Sequence, residues 1–229
     1  MSAPISVIIP TLDSALSLPA TFCSLIEGLN ASLICEVVVS DGGSQDTTST
    51  IALAWGAAIV SGPASRGGQL RRGVEASRGE WVLVLHADTI LQDGWSCEVL
   101  ELLQEGPFCF SLGFQASGMA AKLVAAWANF RTDFMRLPYG DQGLLMRRED
   151  YDKAGGYLEQ PLMEDVAMVR ALEPVIKRLR SRAFTDAKKY QQEGWIWRGC
   201  KNLILLIRYF AGAKPEDLIF SYRSSGGPN

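Results

Sequence analysis

The stretch Trp81-Val82-Leu83-Val84-Leu85-His86-Ala87-Asp88 runs five apolar residues without a break into a histidine and an aspartate. A strand that is apolar at every position has no face for water, so it belongs in a sheet covered on both sides. Three earlier stretches read the same way. Ser6-Val7-Ile8-Ile9-Pro10 is β-branched and is expected to stop at its proline. Glu36-Val37-Val38-Val39-Ser40 ends in Asp41-Gly42-Gly43-Ser44, and Ala57-Ala58-Ile59-Val60 is shorter. Helical spacing fills the intervals: residues 16–29 capped by Asp13 or Ser14, 47–55 capped by Asp46, and 67–77. This alternation predicts an α/β fold with a mostly parallel central sheet flanked by helices. Ligands of such sheets bind outside the carboxyl ends of the strands. Three of those ends carry polar groups here: Thr11 with Asp13, Asp41, and His86 with Asp88.

The second half is less regular. Residues 108–114 alternate and suggest an antiparallel or edge strand. Helices are expected over 120–135, 148–154 and 165–172, a strand over 143–146, and one long helix over 188–211 that stops at Gly212. No repeat or linker divides the chain, so residues 1–223 read as one domain, with a disordered tail over 224–229.

The 229 residues suffice for a sizeable core. A net charge of −3 argues against an electrostatic nucleic-acid binder. Five scattered cysteines and a single histidine leave no zinc pattern and read as reduced, packed thiols of a cytosolic chain. The N-terminus lacks a signal-peptide pattern, and no apolar run approaches the ~20 residues of a membrane span. Residues 195–213 mix aromatic and aliphatic side chains with Arg198, Lys201 and Arg208. Such a helix either packs on the core or lies on the inner face of a membrane.

Several groups could carry chemistry. Asp41, beside Gly42, can accept hydrogen bonds from a nucleobase or ribose, or simply close its own turn; both readings stand. Arg66-Gly67-Gly68-Gln69 could bring a cation and helix-terminal N–H groups to a phosphate. His86 and Asp88, two apart on a strand, point to one side and could hold Mn2+ or Mg2+. Asp141 and Gln142 lie in one polar loop, Glu164 and Asp165 in another. A carboxylate from either could take a proton from an attacking hydroxyl, and spacing does not choose between them.

Taken in order, these pieces resemble the family 2 glycosyltransferases of GT-A fold. The matching stretches are Ser6-Val7-Ile8-Ile9-Pro10-Thr11-Leu12, residues 38–47 around Asp41, Leu85-His86-Ala87-Asp88-Thr89, Tyr139-Gly140-Asp141-Gln142-Gly143 and Pro161-Leu162-Met163-Glu164-Asp165-Val166. The chain is most similar to the short bacterial subgroup called radical-SAM/selenodomain-associated transferase 2, which also has histidine where the wider family's DxD motif opens with aspartate. The resemblance implies a nucleotide-binding half over residues 1–90, and an acceptor half with C-terminal helices over 91–223. It implies that Pro10, Thr11, Asp13, Asp41, Gly42, Arg66, Gln69, Ala87 and Asp88 face the nucleotide-sugar. Asp88 and His86 would hold the cation, Asp165 with Glu164 would be catalytic, and Asp141 and Gln142 would meet the acceptor. The implied reaction is one in-line, inverting displacement from a UDP- or GDP-type donor to a small or lipid-linked acceptor. The synthase-type QxxRW motif is absent, which argues against a processive polymerase. Two other readings are a non-catalytic sugar-nucleotide-binding or scaffold protein on the same fold, and a nucleotidyltransferase. The latter normally carries a Gly-rich basic loop after the first strand, where this chain has Pro10-Thr11-Leu12-Asp13-Ser14.

Overall fold

The computed structural model describes residues 3–218; the tail expected to be disordered lies outside them. Eight strands form one mixed sheet in the order β3-β2-β1-β4-β7-β6-β8-β5. The strands are β1 Ile5–Thr11, β2 Ile34–Asp41, β3 Ala58–Ser61, β4 Trp81–Val84, β5 Ile90–Leu91, β6 Phe108–Phe114, β7 Leu144–Arg147 and β8 Lys177–Thr185. The first four in the sheet run parallel, β7 runs antiparallel to both β4 and β6, and β8 is parallel to β6.

Alternation of side chains along each strand builds two cores. Ile5, Val7 and Ile9 point to helices α1 (Leu18–Asn30), α2 (Thr48–Ala54) and α4 (Trp95–Leu102), meeting Phe22, Leu25, Ala52 and Trp95. Ile8, Val38, Val82 and Val84 point the other way. They meet Leu70 and Val74 of α3 (Arg66–Glu75), Val166 and Val169 of α7 (Glu164–Ala171), and Leu205 and Leu206 of α9 (Trp195–Phe210). Both faces of the central strands are dry, which is why β1 and β4 are almost wholly apolar, whereas β3 and β8 keep exposed positions.

Several expectations need correction. Pro10 does not end β1, which pairs with β2 as far as Thr11↔Asp41. The Ile5 N–H points to the β2 side, so Pro10, five residues on, faces the β4 side. That pairing ends at Ile8↔Val84, so the missing N–H breaks no ladder. The α1 N-cap is Ser17, not Asp13 or Ser14. Residues 108–114 form a strand antiparallel to β7, as one of the two readings had it, but it is an inner strand with every residue buried and not an edge. The long C-terminal helix is two: α8 (Lys188–Glu193) and α9, separated by Gly194 at φ 90°. Elements α4, β5 and β8 were not expected at all. Helices α5 (Met119–Met135) and α6 (Arg148–Lys153) match their expected spans closely. The five thiols are all free, but only Cys109 is buried, while Cys23, Cys97 and Cys200 are exposed.

Candidate active site

The sheet changes from parallel to antiparallel between β4 and β7. At the carboxyl end of β4 a cavity of about 430 Å³ opens, and it gathers groups far apart in sequence. β4 ends at Val84, so His86 and Asp88 are not strand neighbours sharing one side, as the sequence suggested, but come from the turn that follows it; Arg66 comes from the start of α3, and Asp141 from the turn before β7. Asp165 comes from the first turn of α7. The far wall is Asp186, Lys188, Lys189 and Tyr190 after β8, with Arg198 and Asn202 of α9.

Local geometry sets the carboxylates. Met163 takes a left-handed conformation, φ 64°, directly before Glu164 and Asp165. Such strain in a residue with a side chain is held by its surroundings and is typical of sites. Asp165 Oδ2 accepts the Gly140 N–H at 2.7 Å, and Oδ1 accepts the Val166 N–H at 2.7 Å. Gly140 must be glycine: a Cβ there would lie 2.7 Å from His86 Nε2. The turn of residues 139–143 thus packs against the imidazole while gripping Asp165.

Four acids and four cations line the cavity: Asp88, Asp141, Asp165 and Asp186 against Arg66, Lys188, Lys189 and Arg198. Burial, with Arg66 and Lys189 nearby, lowers the His86 pKa to about 3, so the imidazole is neutral. Burial raises Asp88, and Asp186 adds to the shift. Burial also raises Asp141 to about 6 against the pull of Arg131, with Asp165 and Asp88 adding like charge. Its Oδ1 has no hydrogen-bond partner among the described residues. No group of three or more His, Cys, Asp or Glu among the described residues is arranged to hold a metal. His86, neutral and so able to offer a ring nitrogen, and Asp88 nevertheless suit two ligands of a divalent cation, beside an Asp141 carboxyl oxygen left without a partner among the described residues.

Other expected site residues fall elsewhere. Glu164 is 3% exposed, beneath Arg66, whose Nη1 lies 3.8 Å from Oε1. Burial, then Asp165, raises its pKa to about 7. Gln142 is fully buried and does not reach the cavity. Its Oε1 accepts the Thr132 hydroxyl and the Tyr139 N–H, and its Nε2 donates to the Phe110 carbonyl at 3.1 Å. Gln69 is buried too, donating to the Thr11 and Ser40 carbonyls at 2.8 and 2.9 Å. Ala87 is buried, and its carbonyl accepts the Thr21 hydroxyl.

Pro10, Thr11, Asp13, Asp41 and Gly42 cluster where β1 and β2 end, outside the lining of the cavity. The Asp41 carboxylate is taken up by its own surroundings. Oδ2 accepts the Gly43 and Ser44 N–H groups at 2.9 and 2.8 Å, and Oδ1 accepts the Thr11 and Ser44 hydroxyls. Burial raises its pKa, but these hydrogen bonds outweigh burial and hold it below the ordinary value. Asp13 Oδ1 accepts the Gln45 N–H, and Asp46 Oδ2 the Ala15 N–H, lacing the two loops together. Asp46 also accepts the Thr48 N–H at the head of α2.

The family model for glycosyl transferase family 2 matches residues 6–150. The chain belongs to that family. Among solved structures, the fold is similar to that of S. aureus TarS, at TM-score 0.61 and 14% identity. That match covers 95% of this chain and 41% of TarS, so the chain spans less than half the length of that protein. It is similar also to glucosyl-3-phosphoglycerate synthase from Mycobacterium tuberculosis in complex with Mn2+, UDP and glucosyl-3-phosphoglycerate. There the TM-score is 0.56 and identity 21%, over 78% of this chain and 70% of that one. The same synthase with Mn2+ and UDP-glucose gives TM-score 0.58 at 20% identity, covering 78% and 69%. Identities this low show the GT-A fold alone. No curated protein matches in sequence.

The far wall of the cavity was missed in the sequence because β8 was missed. Four cations among the nine residues Lys177–Thr185 hide the strand's alternation. With β8 unseen, nothing pointed Asp186, Lys188 and Lys189 at the site.

Proposed function

We propose that this protein transfers a glycosyl unit from a nucleoside-diphosphate sugar, of UDP or GDP type, to an acceptor hydroxyl with inversion. The observation that carries this reading is the convergence of Asp88, Asp141 and Asp165 with His86 on one cavity at the end of β4. Asp165 is the group to take the acceptor proton: it lines the cavity, and Gly140 and Val166 hold its carboxylate in place. Glu164, buried under Arg66, positions that cation rather than reacting. Arg66, Lys188 and Lys189 line the same cavity and can bind the leaving diphosphate. Asp88 and His86 would hold Mn2+ or Mg2+, which when bound neutralises charge on the diphosphate. The Thr11–Asp41 pair, at the ends of β1 and β2 beyond β4, presents a shelf for base and ribose. His86 in place of the first DxD aspartate supports the radical-SAM/selenodomain-associated transferase 2 subgroup, and with it a bacterial, cytoplasmic protein. Asp141 is the acceptor-side carboxylate in this reading.

The test is a thermal-shift series with UDP, GDP and UDP-sugars, each with and without Mn2+ or Mg2+. A nucleotide at a hundredfold excess over its Kd should stabilise the protein by about 2.7 kcal/mol. Asp165→Asn should keep that shift while transfer or donor hydrolysis falls by about 100-fold or more. Donor binding without transfer or hydrolysis in the unaltered protein would instead mark a non-catalytic binder.

A further inference from the structure

Helix α5 turns its small residues inward: Ala121 and Ala128 are buried against Leu112 and Phe114 of β6. Its outward stripe is Met119, Leu123, Trp127, Phe130 and Phe134, at helical spacing and all exposed. Trp127 stacks on Phe130 at 5.9 Å, and Phe130 lies 4.2 Å from Phe134, so these rings pack on one another in solvent. Helix α9, packed beside α5, repeats the design. Leu205 and Leu206 enter the core while Ile196, Trp197, Ile204 and Ile207 face out, Ile196 at 81% exposure. Two neighbouring helices thus share one exposed apolar face, where scattered single residues would need no explanation.

Charge chooses what covers it. The chain carries −3 overall, yet the exposed cations of α5 and α9 are Lys122 and Arg208 against one acid, Asp133, while Arg131, Arg198 and Lys201 are turned inward and the last two pair with Glu193. Asp133 is itself engaged by Arg178 at 2.8 and 2.7 Å. Two copies meeting through this face would bring like charges together, whereas an anionic surface complements it. Tryptophan and phenylalanine beside lysine and arginine, on helices too short and polar to span, suit the headgroup layer of a bilayer. Among the described residues no helix is long and apolar enough to cross a membrane.

We infer that the α5–α9 face seats this protein on a bilayer containing anionic lipids. The seam between the helices leads inward. A small void lined by Trp127 and Leu203 also touches Tyr139, Asp141, Tyr190 and Asn202, which line the large cavity. If that cavity is the glycosyl-transfer site proposed above, the acceptor class is an amphiphile delivered from the lipid surface.

The experiment is flotation of the full chain with phosphatidylcholine vesicles, with and without phosphatidylglycerol, scored separately from donor binding. The expected result is a bound fraction that needs phosphatidylglycerol and falls with salt. The double variant Phe134→Ser/Ile207→Ser should lower binding by about tenfold or more while keeping its Tm and its nucleotide-induced shift. Both side chains are exposed and outside the cavity, so loss of binding with an unchanged Tm reports the face itself. Failure to float on phosphatidylglycerol vesicles, equal flotation of the variant, or a dimer in sedimentation that the variant abolishes would overturn the inference. None of these bears on whether the donor binds, so the catalytic reading stands or falls separately.

Discussion

Glu164 and Asp165 are adjacent in the chain and separate in role because the first turn of α7 aims one under Arg66 and the other at the cavity. Buried charge is costly, and Glu164 Oε2 has no hydrogen-bond partner among the described residues. Its folded pKa of about 7 lies above the ordinary glutamate value of 4.5. The folded state therefore holds this proton more tightly, and stability is lost as pH rises through that window. In thermal melts across the window, Glu164→Gln should flatten the fall in Tm relative to the unaltered protein. It should also be the more stable of the two at the alkaline end. An unchanged slope would mean that Asp141, raised in the same direction, carries the effect.

Helix α3 illustrates how an element is placed by what it lacks. Its first turn meets the loop before α7 so closely that a Cβ on Gly67 would lie 1.8 Å from the Leu158 carbonyl oxygen. The Gly67 N–H donates to the Gln160 carbonyl, and Ser65 caps the helix by accepting the Gly68 N–H. This contact holds Arg66 at the cavity. Gly67→Ala should force backbone apart, costing about 3 kcal/mol in denaturant unfolding, and should weaken nucleotide binding along with it. A variant with unchanged stability would show that the loop of residues 158–160 yields freely. A helical pattern containing Arg-Gly-Gly is legible in sequence; that its glycines serve a helix–loop contact is not, because the partner lies some ninety residues away.

The family model ends at residue 150, but the fold does not. Leu205, Leu206 and Leu218 are buried in the same core as Ile8 and Val82, and Arg198 and Asn202 wall the cavity. A chain ending at Ala187 should lose cooperative thermal unfolding and yield quickly to limited proteolysis; a sharp melt would show that the sheet stands without α8 and α9. At this scale the two sources of information separate. The sequence by itself determined the parallel half: continuous apolar strands, the polar groups at their carboxyl ends and the order of the motifs. Those signals are local, since strand periodicity and turn chemistry act over a few residues. Only the tertiary structure decided the mixed half and the membership of the site. The inner place of β6, the charged strand β8, the break at Gly194, the burial of Gln142 and Gln69 and the placing of Asp165 on the cavity wall all depend on which distant elements pack together. Burial and hydrogen-bond satisfaction are settled by those long-range partners, and a side chain's own identity does not name them.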